Sequence, residues 1–371
     1  MPARRQSGFG PNLTIGFVRR GFSSSGGAES YLTRLAAGVS AAGHRVLLFT
    51  GPEWPAAEWT VGPIRRVNAR SVKSFAREVE RLSREQCDVL FSLERIYRCD
   101  IYRAGDGVHR AWLEKRDALA GPLQKVSRFF NRKHSATLSL EESLFAKKGA
   151  KGVIANSRMV KEEIVRYYGY PADRIDVVYN GVPLEATVRA AEDRAHMRES
   201  LGLGPNDVAV LFAGSGWERK GLRFATEAVE RQSKQVRLLV AGRGEARRFG
   251  SSRAQFLGVV REMPSLYLAA DIFLLPTLYD PFSNACLEAL AAGKPVITTR
   301  ANGFSEIIEN GRHGTVIESP ADVAAISDAI QFWSDGPRRQ QAQLENLALA
   351  AQFDISRNVR ETLSILSRVG A

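Results

Sequence analysis

At 371 residues the chain is too long for one ordinary core, and two domains of roughly 150–200 residues each are expected. Hydrophobic residues make up 44% and charged residues 25%, a soluble globular composition, and no apolar run approaches the roughly 18 residues that would argue for a membrane span. The formal net charge of +12 points to an anionic partner such as a nucleotide, a phosphorylated substrate, nucleic acid or an anionic membrane surface, and by itself does not choose among them.

The chain opens on a basic, polar stretch, "MPARRQSGFGPN", followed by only "LTIGFV". That apolar run is too short for a secretory signal, so a cytoplasmic protein is expected. "LTIGFV" (13–18), "RVLLFT" (45–50), "DVLFSL" (88–93), "GVIAN" (152–156) and "IDVVYN" (175–180) read as buried parallel strands. Between the first two, Leu32, Leu35, Ala36 and Val39 recur at helical spacing and Gly43 closes the helix. This is a strand–helix–strand unit, the building block of a doubly wound sheet. The glycine-rich turn "FSSSGGAES" opens that helix but is neither a Walker loop nor G-x-G-x-x-G, which argues against a dinucleotide site. Glu29 reads as a first-turn acid only. Cys87, Cys99 and Cys286 form no C-x-x-C pair and read as reduced thiols in or near cores.

In "RAGDGVHRAW", Asp106 and His109 follow a strong turn signal. The segment 109–134 is basic and amphipathic: residues 110–133 carry seven Lys or Arg against two acids, interleaved with Trp112, Leu113, Leu123, Val126, Phe129 and Phe130. It reads as an element for an anionic membrane surface, or as a solvated helix with a core stripe. No nucleic-acid motif accompanies it, so no nucleic-acid partner is expected. The polar stretch 183–206 reads as the linker region. A second strand series follows: "DVAVLFAG" (207–214), "VRLLVAG" (236–242), "AQFLG" (254–258), "DIFLLP" (271–276), "PVITT" (295–299) and "GTVIES" (314–319), with a helical tail after Pro337.

In "TLYDPFSNACLEALAAGKPV" a loop leads into a helix that begins at Ser283 or Asn284 and stops at Gly293. The helix mouth is an anion site just beyond a strand end, where open α/β sheets bind ligands. Glu288, about a turn inside, suits the paired hydroxyls of a ribose, and Asp280 suits sugar hydroxyls. Two acids eight apart, taken alone, are better explained by a capped surface helix with one acid facing solvent. "AGSGWERKGL" adds a glycine-rich turn at Gly214 and the adjacent cations Arg219 and Lys220, which suit a diphosphate. "VAGRGE", around Arg243, supplies another glycine pair that lets backbone approach a ligand.

Taken together, "SSGGAESYLTRLA", "IANSRMVKEEI", "IDVVYNGVP", "FAGSGWERKGL" and "AADIFLLPTLYDPFSNACLEALAAGKPVITT" resemble the family 4 retaining glycosyltransferases, and within them the lipopolysaccharide core glucosyltransferase group. The family carries Glu–x7–Glu where this chain has Asp280, a shorter carboxylate that still accepts a sugar hydroxyl. The resemblance implies an α/β GT-B fold, two Rossmann-like doubly wound domains facing across a cleft. It divides the chain into an acceptor domain (1–182), a nucleotide-sugar domain (183–345) and a helical tail (346–371) packing back on the first domain. It implies a hexosyltransferase moving glucose by default from UDP-glucose to a saccharide or glycolipid such as the lipopolysaccharide core, with no metal and no cofactor. Arg219 and Lys220 would hold the diphosphate, with Gly26, Gly27 and Gly214 at the phosphates. Asp280, Phe282, Ser283 and Asn284 would hold the sugar and distal phosphate, Glu288 the ribose, and Val259 and Val260 the base. Asp106 and His109 would stand near the acceptor. The alternatives are a nucleotide-sugar-binding or membrane scaffold without turnover, or a GT-B epimerase.

Overall fold

A computed structural model of the protein describes residues 12–22, 27–118, 132–183 and 191–369. The chain divides into two compact units, passing from the first to the second after Val178 and returning after Ile355, and residues 114–118 also group with the second.

In the first unit, β1 (Thr14–Val18), α1 (Gly27–Ala41), β2 (Arg45–Thr50), β3 (Ile64–Arg66), α2 (Val72–Gln86), β4 (Val89–Ser92), β5 (Cys99–Ala104), α3 (His109–Ala118), α4 (Arg132–Leu144), β6 (Ala150–Ala155), α5 (Arg158–Tyr168) and β7 (Ile175–Val177) follow one another. The strands form one parallel sheet in the order β3-β2-β1-β4-β5-β6-β7. Two of these strands lack a readable apolar run. β3 is only three residues long, and β5 reads "CDIYRA", its pattern broken by Asp100 and Arg103. Both charges have tertiary partners: Asp100 accepts the Leu90 amide at 2.7 Å and pairs with Lys151 at 2.8 Å, and the buried Arg103 guanidinium lies 4.1 Å from the centre of the Tyr31 ring.

The second unit runs α6 (Ala191–Ser200), β8 (Val208–Ala213), α7 (Leu222–Glu230), β9 (Val236–Ala241), β10 (Ala254–Gly258), α8 (Met263–Ala269), β11 (Ile272–Leu275), α9 (Asn284–Ala291), β12 (Val296–Thr299), β13 (Gly314–Ile317), α10 (Val323–Trp333) and α11 (Gly336–Ala350). Its parallel sheet has the order β10-β9-β8-β11-β12-β13. β8 and β11 are nearly continuous apolar runs because both sheet faces are covered, and Val210, Leu211, Phe212 and Ile272–Leu275 are fully buried. The stretch around 183–206, expected as linker, is not loose where it is described. From 191 to 200 it is helix α6, because Arg194 and Arg198, one turn apart, both reach Asp271 at 2.7 and 2.9 Å.

The last helix, α12 (Ile355–Val369), groups with the first unit. A side chain at Gly38 of α1 would stand 2.3 Å from the Val359 Cγ1 atom, so the glycine permits this close approach. Tyr31 and Thr362 hydroxyls lie 3.5 Å apart nearby, and Arg368 pairs with Asp176 at 2.8 Å. The three cysteines are unpaired, with Cys99 and Cys286 buried. No described helix is long and apolar enough to cross a membrane.

Candidate active site

In the second sheet the order of strands reverses between β8 and β11, the kind of switch point at whose carboxyl ends open α/β sheets bind ligands. The first loop begins at Gly214, whose φ of +133° disfavours other residues, and a Cβ there would lie 2.6 Å from Lys220 Cε. The lysine stem therefore runs directly over the glycine. Trp217 steadies the turn, its indole N–H donating to the Gly214 carbonyl at 2.9 Å while its rings pack on Phe249 and Phe256. Gly221, φ +78°, ends the loop. A Cβ there would be 1.9 Å from the Pro276 carbonyl oxygen, so only glycine lets the two loops touch.

Further bonds join the loops. The Arg219 carbonyl accepts the Leu278 amide at 2.8 Å and the Thr277 hydroxyl at 3.0 Å, and the Arg219 guanidinium donates to the Tyr279 carbonyl at 3.3 Å. The result places Lys220 Nζ 3.2 Å from Asp280 Oδ2, with both side chains about a tenth exposed (11% and 9%). The sequence reading brings cation and carboxylate to one site; the structure makes them direct partners. Gly242, after β9, stacks on the same turn, since a Cβ there would be 2.1 Å from the Gly214 oxygen, and the Arg243 amide lies 3.4 Å from Ser215 Oγ. Val259 and Val260 follow β10, two strands from β8, with Val259 exposed and Val260 half-buried.

The mouth of α9 is built as expected, with Ser283 as its cap: Ser283 Oγ accepts the Cys286 amide at 3.3 Å. What holds this mouth was not legible in sequence. The fully buried Asn302 accepts from the Ser283 and Phe304 amides at 3.2 and 3.1 Å and donates to Thr298 Oγ1 at 3.0 Å. Asp280 bridges the same strand-like segment: its amide donates to the Ala301 carbonyl at 3.0 Å and its carbonyl accepts from Gly303 at 2.9 Å. Asn180 donates to the Phe282 carbonyl at 3.2 Å and to Asn284 Oδ1 at 2.6 Å, and the buried Phe282 ring packs on Tyr179 and Phe304. Glu288, half-buried on α9, accepts from the Tyr267 hydroxyl at 2.8 Å. Burial first and the Glu288 carboxylate second push the Tyr267 phenol well above its usual range, so it remains a donor.

In the first unit Gly27 opens α1, and Gly26 lies outside the described residues. Glu29 is more than a first-turn acid. It is buried and accepts from Arg19 at 3.2 and 3.3 Å, because the chain after β1 brings that guanidinium over the helix start. Asp106 is exposed, 3.7 Å from Arg95. His109 begins α3, its amide donating to Glu141 Oε1 at 2.6 Å and its ring Nε2 lying 3.0 Å from His134 Nδ1. Glu141, fully buried, also accepts from Arg95 (2.9 Å), the Arg110 amide (3.3 Å) and the Tyr168 hydroxyl (2.8 Å). It caps α3 across 32 residues of sequence, a distance at which no local motif could reveal it. Of the basic segment 109–134, residues 119–131 lie outside the described residues. Among the described residues no group of three His, Cys, Asp or Glu side chains is placed to hold a metal ion.

The second unit thus offers a cationic pair of loops, a helix N-terminus and two carboxylates at one strand end, a set suited to a ligand with a charged diphosphate and flanking hydroxyls. Residues 25–186 match the family Glycosyltransferase Family 4, and residues 207–335 match Glycosyl transferases group 1. Each of the two domains thus matches a glycosyltransferase model. A protein of Burkholderia thailandensis named "Probable transglycosylase" is 28% identical over 380 residues, covering 97% of this chain and 98% of that one. An uncharacterized glycosyltransferase of Methanocaldococcus jannaschii is 30% identical over 177 residues, and there the match spans 44% of this chain and 45% of that protein. The crystal structure of WaaG, a glycosyltransferase involved in lipopolysaccharide biosynthesis, superposes with a TM-score of 0.82 at 20% identity, over 95% of this chain and 99% of that one. That of Anabaena HepE in complex with UDP-glucose gives 0.76 at 20% identity, over 96% and 100%. At these identities the two structures establish the shared fold: two Rossmann-like α/β domains of the GT-B type, with sheets of seven and six strands.

Proposed function

We propose that this glycosyltransferase takes a hexose from a nucleoside diphosphate sugar bound to its second domain and transfers it with retention to a saccharide or glycolipid acceptor. The observation that carries the reading is the Lys220–Asp280 contact at the mouth of α9, with Glu288 one turn further in. As the anomeric C–O bond breaks, positive charge grows on the sugar and negative charge on the diphosphate. Arg219, Lys220 and the first amides of α9 are fixed donors for the second charge, which is where such groups lower a barrier. The Asp280 carboxylate then serves a sugar hydroxyl, with Phe282, Ser283 and Asn284 supplying backbone at the distal phosphate. Glu288 takes the ribose, and Val259 and Val260 flank the base. The acceptor hydroxyl gives its proton to the departing phosphate oxygen and attacks on the same face, so the protein provides no nucleophile and no metal ion is needed.

UDP-glucose is the donor we favour, supported by the fold shared with HepE, whose crystal structure contains it. The fold shared with WaaG supports an acceptor of the lipopolysaccharide-core kind. Asp106 and His109 belong on the acceptor side, and segment 109–134 would meet an anionic membrane surface from the cytoplasmic side. A donor panel tests the reading. Nucleotide release should occur from UDP-glucose in EDTA, rise with lipopolysaccharide precursors, and be weaker with GDP- or ADP-sugars. Release from no sugar nucleotide under any of these conditions would leave a binding protein without turnover.

A further inference from the structure

Tyr267 has no place in the chemistry above, yet its hydroxyl is spent on a proposed ligand-binding carboxylate. The side chain projects from α8, is 4% exposed, and packs its ring against Phe273 of β11 at 5.9 Å between centroids. Packing alone therefore fixes the ring, and phenylalanine would fill the same space. The hydroxyl donates to Glu288 Oε2 at 2.8 Å. Glu288 itself is only half-buried, on a flexible stem, and without a fixed donor it would sample several rotamers at the site.

We propose that Tyr267 is a positioning residue for nucleotide recognition: its phenol holds the Glu288 carboxylate in the one orientation that accepts both hydroxyls of a nucleoside diphosphate's ribose. This rests on the reading of the second domain as the donor site. A carboxylate has about four acceptor positions over its two oxygens, and the phenol bond occupies one of them. Burial keeps the phenol protonated, so it serves as a donor throughout the working pH range. Tyr267 touches no substrate atom; it acts through Glu288.

Tyr267→Phe removes the hydroxyl and keeps the packing. Calorimetry should show UDP bound about tenfold more weakly, the scale of one hydrogen bond's worth of preorganisation. The affinity for 2′,3′-dideoxy-UDP, which lacks the hydroxyls Glu288 would read, should match that of the unaltered protein, and the melting temperature should hold. In a Glu288→Ala background the Tyr267→Phe change should have no further effect on UDP. Four results would overturn the inference: unchanged UDP affinity in Tyr267→Phe, equal losses for UDP and its dideoxy analogue, losses that add in the double variant, or a loss matched by a falling melting temperature. If Glu288→Ala itself binds UDP normally, the ribose assignment fails and takes this inference with it. If Glu288→Ala loses affinity and Tyr267→Phe does not, the donor reading stands and the positioning role alone is excluded.

Discussion

The two ends of the second sheet both concentrate charge, and they use it differently. At the amino end Asp271, just before β11, is nearly buried, takes the Ala209 amide at 2.8 Å, and gathers Arg194, Arg198 and, at 3.9 Å, Arg339. The guanidiniums spend their remaining donors on carbonyls: Arg194 on Leu268 and Ala270, Arg198 on Ala269, Gly204 and Asp207, Arg339 on Trp333 and Ser334. An open cavity of about 360 Å³ lies beside Arg194, Arg198 and Leu203. At the carboxyl end a single lysine meets a single carboxylate over a turn kept open by Gly214 and Gly221. The amino end has three arginines around one carboxylate and an open hollow beside them, but its donors are committed to closing helix ends and docking α6. What marks a site is a pair whose partners a ligand can exchange, beside backbone without side chains, rather than the amount of charge.

The largest effect that would break this contrast belongs to the amino end. Asp271→Ala strips the shared counter-ion from two or three partly buried guanidiniums and should destabilise the second unit by about 3–5 kcal/mol, read as a shift in the urea midpoint. Turnover per folded molecule should be nearly unchanged, because no proposed donor contact comes from this end. A stable Asp271→Ala protein with impaired turnover would reverse the roles of the two ends. Burial works to raise the Asp271 carboxyl, but the Ala209 amide and then the three arginines outweigh it and hold it below the usual carboxylate range. Its contribution to stability is therefore present above the unfolded value and lost as pH falls through the lower folded one.

The next effect is on chemistry. Lys220→Ala should lower kcat at least about 100-fold, equivalent to about 2.7 kcal/mol of transition-state stabilisation. The loss should exceed anything that reduced folding accounts for, which stopped assays at saturating UDP-glucose together with a melting curve would separate. Near-normal kcat would remove the ion pair from the mechanism and leave it as a second strut.

The same contrast explains what could be read in the sequence. Gly214, Lys220, Asp280, Ser283 and Glu288 lie in short segments after apolar strands, so turn and cap chemistry locates them, and strand adjacency brings them together. Their supports, Asn302, Asn180 and Tyr267, come from other segments and are ordinary polar residues without a local pattern. In the first unit Asp106 and His109 stand out beside a turn, whereas Glu141, which fixes the His109 amide, is one acid among several on a helix. Strand β5 escaped periodicity because its Arg103 is stabilised by Tyr31, a partner 72 positions away that pattern analysis does not see. Helix α6 has no legible signal in its polar stretch for the same reason: Asp271, which pins it, lies beyond β8 and β10 in sequence.

The smallest effect sharpens the contrast through pH. Lys294, just before β12, is half-buried at the amino end, where it donates to the Leu268 carbonyl at 3.0 Å. Burial first, then neighbouring Arg194, lowers its amine to about 7. In the unfolded chain the amine returns to about 10.4. Between these values the unfolded state binds the extra proton, so stability must rise with pH. Below the folded value both states are protonated, so the slope flattens and the destabilisation stays at its full size. From pH 6 to 8 this residue should add about 1.4 kcal/mol of stability, and the limiting slope above the folded value is about 1.4 kcal/mol per pH unit. Lys294→Met, which keeps the stem and removes the amine, should be more stable than the parent at pH 6 and lose that rise. Urea midpoints of both proteins at half-unit intervals decide it. Parallel curves would mean that the amine is not buried against its arginine neighbours, and the amino end would then hold a cation with room to accept a ligand after all.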